Sequence, residues 1–271
     1  MTPPRRTLHF ISGLPRSGST LLAAILRQNP KFRAGISSPL ADIFAVALRA
    51  MSISEGALFV NDDQRRAVLG AIFDAYCHHE PEGVIVFDTN RAWCSLMTPV
   101  SQLLPASRVI SCVRSPAWIL DSIERLIQRN GLRAPRTIGA DRANVFERCA
   151  AMTAPNGFLG APLCGLKQAW FGESAGRLIA VRYNSLCENP RRVLAQLYDV
   201  LEEEPFEHDF DNFEYEESEF DSRLGMPGLH RVTGPVRVMP RRTILPPEIF
   251  AQYDREFWNV PDQNPRGVRV L

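Results

Sequence analysis

The stretch Phe10–Leu26, FISGLPRSGSTLLAAIL, constrains the fold more than any other part of the chain. A short apolar run leads into a loop with two glycines, and that loop opens directly into an apolar helix. In such a strand–loop–helix unit, successive backbone N–H groups converge on one point, and the helix N-terminus adds positive potential there. Gly13–Thr20, GLPRSGST, fits G-x-x-x-x-G-x-[ST] and departs from the Walker A pattern only at Ser19, where a nucleotide triphosphatase carries lysine. Arg16 supplies a cation three positions earlier. Pro15, Arg16, Ser17, Gly18, Ser19 and Thr20 are the candidate lining of an anion cradle, and the three hydroxyls are candidate donors.

Arginine carries nearly all anion recognition in this chain, because the only lysines are Lys31 and Lys167. Its planar, permanently charged fork suits phosphate and sulfate. The net charge of +1 gives no support for bulk binding to nucleic acid or membranes. The charge is unevenly spread, however. Residues 202–221 are acidic and lack Lys and Arg, and read as a solvated face; arginine is frequent from Arg223 onward.

Four short β-branched runs read as buried strands, at 7–12, 84–88, 108–113 and 178–183. Helical patterns begin near Ser17, Pro39, Asp62, Arg91, Pro116, Arg142, Phe158 and Pro190, and another runs from Pro247 to Phe257. The alternation predicts a three-layer α/β fold of the P-loop type with a central, mostly parallel sheet, in one domain over residues 1–271. Ligands of such sheets bind beyond the carboxyl ends of the strands. Residues 222–246 read as a long ordered loop, of a length usually tied to function. None of the six cysteines forms a CxxC pair and no histidine has metal-ligand spacing, so buried free thiols and no metal are expected. With no secretory h-region and no apolar run long enough for a span, the expected compartment is the cytoplasm.

A second anion site follows the third of these runs. In RVISCVRSPAWILDSIERL, Arg114 stands at a strand end and Ser122 lies eight residues on, about two helical turns into the next element. Arg125 follows one turn later. Arg114 could otherwise pair with Asp121 or Glu124.

With these residues the chain resembles the sulfotransferases that use 3′-phosphoadenosine 5′-phosphosulfate. GLPRSGSTLL is similar to their 5′-phosphosulfate loop, in the P-R-S-G-[ST]-T form of the tyrosylprotein sulfotransferases and related bacterial enzymes. The resemblance implies that the loop holds the 5′-phosphosulfate and that Arg114 and Ser122 hold the 3′-phosphate. LIAVRYNSLCENP resembles the segment whose tyrosine lies near the adenine, which makes Tyr183 a candidate; Asn184 stands where the family often has glutamate. GLHRVTGPVRVMPRRT occupies the place of the late loop that closes on the nucleotide. Arg241 and Arg242 are its candidates, with Arg231 and Arg237 behind them. The implied reaction is in-line sulfuryl transfer to a hydroxyl or amine of a small molecule, saccharide or peptide, releasing 3′,5′-bisphosphoadenosine, with Arg16 stabilising the leaving oxygen. No nucleic acid partner is implied. Oligomeric state is open, a homodimer included.

The base that takes the acceptor's proton departs from the family. Ser37 and Ser38 stand where tyrosylprotein enzymes carry glutamate, and Asn90 stands about where cytosolic enzymes carry histidine. Asp88, at a strand's carboxyl end, is the first candidate, His230 the second and Asp42 the third. Asp88 could instead cap the next helix or pair with Arg91. Two other readings stay open. A P-loop small-molecule kinase would use Asp88 for magnesium but lacks the loop lysine. A non-catalytic nucleotide-binding protein would keep the cradle without a base.

Overall fold

A computed structural model of the chain describes residues 7–130 and 144–271. The strands are β1 (Thr7–Ile11), β2 (Phe32–Ala34), β3 (Ile85–Thr89), β4 (Val109–Val113), β5 (Leu178–Arg182), β6 (Glu214–Tyr215), β7 (Val232–Thr233) and β8 (Arg269–Val270). The helices are α1 (Ser19–Leu26), α2 (Leu40–Ile53), α3 (Asp62–Tyr76), α4 (Met97–Leu103), α5 (Pro116–Arg129), α6 (Val145–Thr153), α7 (Gly160–Phe171), α8 (Tyr183–Glu188), α9 (Pro190–Leu201), α10 (Ser218–Arg223) and α11 (Pro247–Tyr253).

Six strands form one parallel sheet in the order β2-β3-β1-β4-β5-β8. The chain leaves β1 toward β3 on one side and returns to β4 on the other. The carboxyl end of β1 therefore lies at the point where strand order reverses, the usual place for a ligand crevice. The short antiparallel pair β6–β7 stands apart from this sheet.

The strands alternate their side chains between two cores, as the two-residue period requires. Phe10, Val109 and Val113 face a core with Phe44, Phe73, Trp93, Ile119 and Trp170. Ile11, Ile110 and Cys112 face the other, with Leu22, Ile25, Phe87, Val181 and Leu197. The central strands are buried on both faces, which is why they read as continuous apolar runs.

The four predicted runs are β1, β3, β4 and β5. Neither β2 nor β8 shows a sequence signal, because three and two residues are too few to show a period. No helix was expected at α8, whose first residue is Tyr183. The helix expected from Arg91 is a 3-10 turn over Arg91–Cys94, and α4 begins only at Met97. The Arg91 carbonyl accepts from Ser12 Oγ at 3.0 Å, so it is taken by a side chain at the end of β1. The expected helix start at Arg142 lies outside the described residues; α6 is capped by Asn144, whose Oδ1 accepts from Glu147 N at 3.0 Å. The last helix ends at Tyr253, four residues short of the expected Phe257. Buried Glu124 of α5 accepts two bonds from Arg148 of α6, at 2.8 and 2.7 Å, and so ties the two helices together.

Five of the six cysteines are buried free thiols, and Cys164 is exposed. Among the described residues no helix is long and apolar enough to cross a membrane.

Two buried histidines make stability depend on pH. His9 Nδ1 accepts from Arg108 N at 3.1 Å, and His208 Nε2 meets the Tyr198 hydroxyl at 3.0 Å. Burial lowers both to about 4, with the Arg108 charge adding to the effect at His9. Each is thus neutral in the folded chain near pH 5 but protonated in the unfolded chain, whose histidines titrate near 6.5. Their contribution is complete above about pH 6.5 and is lost as pH falls toward about 4. Urea denaturation should show each histidine costing on the order of 2 kcal/mol at pH 5 relative to pH 8. His208→Gln should flatten its share of that slope.

Candidate functional site

The loop from Gly13 to Thr20 leaves β1 and docks on the end of β4. Leu14 N donates to Cys112 O at 3.0 Å, and the buried Ser17 hydroxyl lies 2.5 Å from Leu14 O and 2.7 Å from Cys112 O. This corrects one expectation: the Ser17 side chain is committed to carbonyls of the fold, so it fixes the loop and does not offer its hydroxyl to a ligand. The turn itself needs left-handed backbone at Arg16 (φ 57°) and Gly18 (φ 97°). Gly18 has a second constraint. A Cβ there would lie 2.9 Å from Tyr183 Cδ2, because the tyrosine ring packs on the loop backbone. Gly13 is close-packed without that backbone requirement: its Cβ would lie 1.9 Å from Ser19 Oγ. Pro15 is buried, while Ser19 and Thr20 at the start of α1 remain partly accessible.

Arg16 joins three segments that are far apart in sequence. Its Nε donates to Ser122 Oγ of α5 at 3.2 Å, and a terminal nitrogen donates to Leu229 O of the late loop at 2.5 Å. Burial, and then the nearby Arg114 charge, lower its pKa. Arg114 stands beside it, donating to Arg16 O at 3.2 Å and stacking 4.2 Å above the Tyr183 ring. Gly18, Tyr183 and Arg114 therefore form a layered wall of the crevice.

Arg114 is not paired with either carboxylate on the next helix. Glu124 is held by Arg148, and Asp121 serves a different group. Buried Asp121 binds Arg125 at 3.0 Å and Arg241 at 2.9 Å, and accepts from Thr243 Oγ1 and Ile244 N at 3.1 and 2.8 Å. It thereby pins the late loop onto α5. Arg125 also donates to the Arg242 carbonyl, and Arg241 lies over the Trp118 ring. Arg114 Nε, by contrast, is buried without a hydrogen-bond partner among the described residues. A buried guanidinium nitrogen left unbonded is costly unless an acceptor reaches it. Arg231 points elsewhere: it pairs with Glu214 and Glu216 of the β6 region, at 3.0 and 3.6 Å. Arg237 and Arg242 are exposed.

The base candidates separate clearly. Asp88 sits on the β3 face that looks into the aromatic core, in register with Phe10. It is buried, its Oδ1 accepts from Trp93 Nε1 at 2.7 Å, and Ser38 also bonds to it. Burial raises its pKa. Asp88 thus anchors an indole and pairs with neither Arg91 nor the cradle, a correction to its first rank as base. Asp42 is exposed on α2. His230 directly follows the carbonyl bound by Arg16, and its ring meets the carboxylate of Asp221.

Sequence reasoning gave three residues here no role in the site. Asp221 lay in the acidic run read as solvated, yet it is buried; only its pairing with a loop nine residues on reveals it. Asp121 appeared only as a rival partner for Arg114. Arg91 stacks 4.3 Å over Phe158, and its backbone is held by Ser12, the residue before the cradle. Desolvation, and then the Arg16 charge, lower Arg91 to about 10, although much of its surface still meets solvent. Among the described residues no group of three or more His, Cys, Asp and Glu is placed to hold a metal ion.

A model of the sulfotransferase family matches residues 9–208. The chain belongs to that family. The match includes the loop, Asp88, Arg114, Ser122 and Tyr183, while Asp221, His230, Arg241 and Arg242 lie beyond it. Among solved structures, the chain is similar to the sulfotransferase domain from the curacin biosynthetic pathway, with a TM-score of 0.49 and 19% identity over 75% of this chain and 76% of that one. It is also similar to a sulfotransferase from Alicyclobacillus acidocaldarius, with a TM-score of 0.47 and 14% identity over 82% and 90% of the two chains. A third is the sulfotransferase domain from the Synechococcus PCC 7002 olefin synthase, with a TM-score of 0.45 and 20% identity over 76% and 78%. No individually curated protein matches the sequence.

Gly18→Ala tests the loop geometry. It combines a left-handed backbone with a Cβ against Tyr183, and the backbone alone costs about 1–2 kcal/mol. Thermal melting should fall accordingly, and Tyr183→Ala should relieve the contact part but not the backbone part.

Proposed function

We propose that the protein transfers a sulfuryl group from 3′-phosphoadenosine 5′-phosphosulfate to a hydroxyl or amine of its acceptor. The observation that carries this reading is Arg114, whose buried Nε lacks an acceptor beside a glycine loop that provides Arg16 in place of a lysine. An anionic phosphate or sulfate oxygen fits that donor, and the two glycines let the loop fold tightly beside it, against Tyr183 and Ser19. The bound donor supplies the activated sulfuryl group.

The residues of the chain then position it and stabilise charge. The loop N–H groups, Ser19 and Thr20 hold the 5′-phosphate. Arg16 stabilises the oxygen that leaves from sulfur. Arg114 and Ser122 hold the 3′-phosphate, with Arg241 and Arg242 contributing from the loop that Asp121 pins to α5. Tyr183, fixed between Gly18 and Arg114, forms the floor beside the adenosine. His230 takes the acceptor's proton. The kinase reading fares worse, since the carboxylate it needs for magnesium, Asp88, is turned into the core and bonded to Trp93.

Calorimetry tests the donor. The protein should bind 3′,5′-bisphosphoadenosine without magnesium; binding of ATP–magnesium in its place would sink the reading. Arg114→Ala removes a charge-assisted partner of a phosphate, and loss of such a pair costs about 2–3 kcal/mol. Affinity for the bisphosphate should drop on the order of 100-fold, while adenosine 5′-phosphosulfate, which has no 3′-phosphate, changes little. Equal losses for both ligands would remove Arg114 from the 3′-phosphate.

A further inference from the structure

Asp221 ends up beside the crevice although it belongs to the most acidic part of the chain. It lies on α10, only 1% exposed, and spends both carboxylate oxygens on one residue. Oδ2 accepts from the His230 backbone N at 2.8 Å, and Oδ1 lies 2.5 Å from His230 Nδ1. The preceding carbonyl, Leu229 O, is held by Arg16. The imidazole is therefore fixed from two sides, by the carboxylate and by the cradle's arginine.

An ionised carboxylate only accepts hydrogen bonds. With Oδ1 at Nδ1, the proton of the neutral ring sits on Nδ1 and the lone pair is on Nε2. Nε2 bonds to no described residue and is not enclosed, since the ring keeps 13% of its side-chain surface open. The other groups around the ring do not compete for it. The Phe220 ring stands 5.5 Å away and is apolar. The Arg16 guanidinium is directed at Leu229 O and Ser122. Arg231 is engaged by Glu214 and Glu216.

We propose that Asp221 is the positioning residue for a His230 general base, holding the imidazole in the tautomer that presents an unprotonated Nε2 to the acceptor. The proposal rests on the sulfotransfer reading above. In the step it serves, the acceptor oxygen or nitrogen forms a bond to sulfur as the bond from sulfur to the 5′-phosphate oxygen breaks. The acceptor's proton passes to Nε2, and the bisphosphate leaves with the electron pair. Asp221 stays ionised and balances the imidazolium so formed.

Asp221→Asn separates position from charge. The asparagine carbonyl can still accept from the His230 backbone N, but its amide then faces Nδ1 as a donor. Nδ1 must accept, and the ring proton moves to Nε2. Nitrogen-15 NMR at pH 8 should find Nδ1–H in the wild type and Nε2–H in the variant. Sulfuryl transfer from phosphoadenosine phosphosulfate to water, read as release of bisphosphoadenosine, should fall on the order of 100-fold in Asp221→Asn and in His230→Ala. Affinity for bisphosphoadenosine should stay within about threefold of wild type in Asp221→Asn, because no proposed donor contact is removed. An Nε2–H tautomer in the wild type overturns the proposal without any variant. So does an unchanged release rate in Asp221→Asn. If the wild type does not bind bisphosphoadenosine at all, the donor reading falls instead, and the tautomer result still stands or fails on its own.

Discussion

The site depends on the docking of one loop on one strand end. Leu14 N and the Ser17 hydroxyl both reach Cys112 O, so the loop leaving β1 is locked to the carboxyl end of β4 by the fold itself. That lock fixes the left-handed turn at Arg16 and Gly18, and the turn aims the Arg16 guanidinium across the crevice. Three parts of the site are tied to that residue: Ser122 on α5 by one side-chain nitrogen, the late loop at Leu229 by another, and Arg114 through the Arg16 backbone carbonyl. A cradle built of backbone alone would bind an anion. The added arginines gather positive charge at the same place.

Three like charges, Arg16, Arg114 and Arg241, share this small volume, and the fold meets the repulsion unequally. Arg241 is neutralised by Asp121, which also receives Arg125. Arg16 has Asp221 within its field, one residue removed through His230. Arg114 feels Asp121 only at a distance, with no ion pair to it, and lies against a tyrosine face. Aromatic stacking attracts a cation without quenching its charge. Asp121 and Asp221 thus attend the side chains that hold the late loop, and Arg114 is the cation whose Nε is still unbonded.

Much of this was legible in the sequence. The loop, the four central strands and the Arg114–Ser122 spacing could be read because each rests on local rules: glycine where φ is positive, a continuous apolar run where both faces are buried, and two helical turns between strand end and helix face. The edge strands β2 and β8 were not legible, since pairing with a finished neighbour makes them strands and their own residues do not. The surroundings of Asp88 were not legible for a related reason. Asp88 stands at the correct end of a strand, but the two-residue alternation turns it toward Trp93 and the aromatic core.

The sequence by itself determined the class of fold, the glycine loop between β1 and α1 and the reliance on arginine, because these follow from residue type and short spacing. Which arginines are satisfied and which carboxylates are buried was decided only by the tertiary structure. Asp121 and Asp221 meet their partners across long chain separations or through a folded-back loop. No local pattern distinguishes a carboxylate so enclosed from its exposed neighbours at Glu219 or Glu216. The physical reason is that burial and pairing belong to the packed ensemble of elements. A charge run reads as solvated until the fold closes over one of its members.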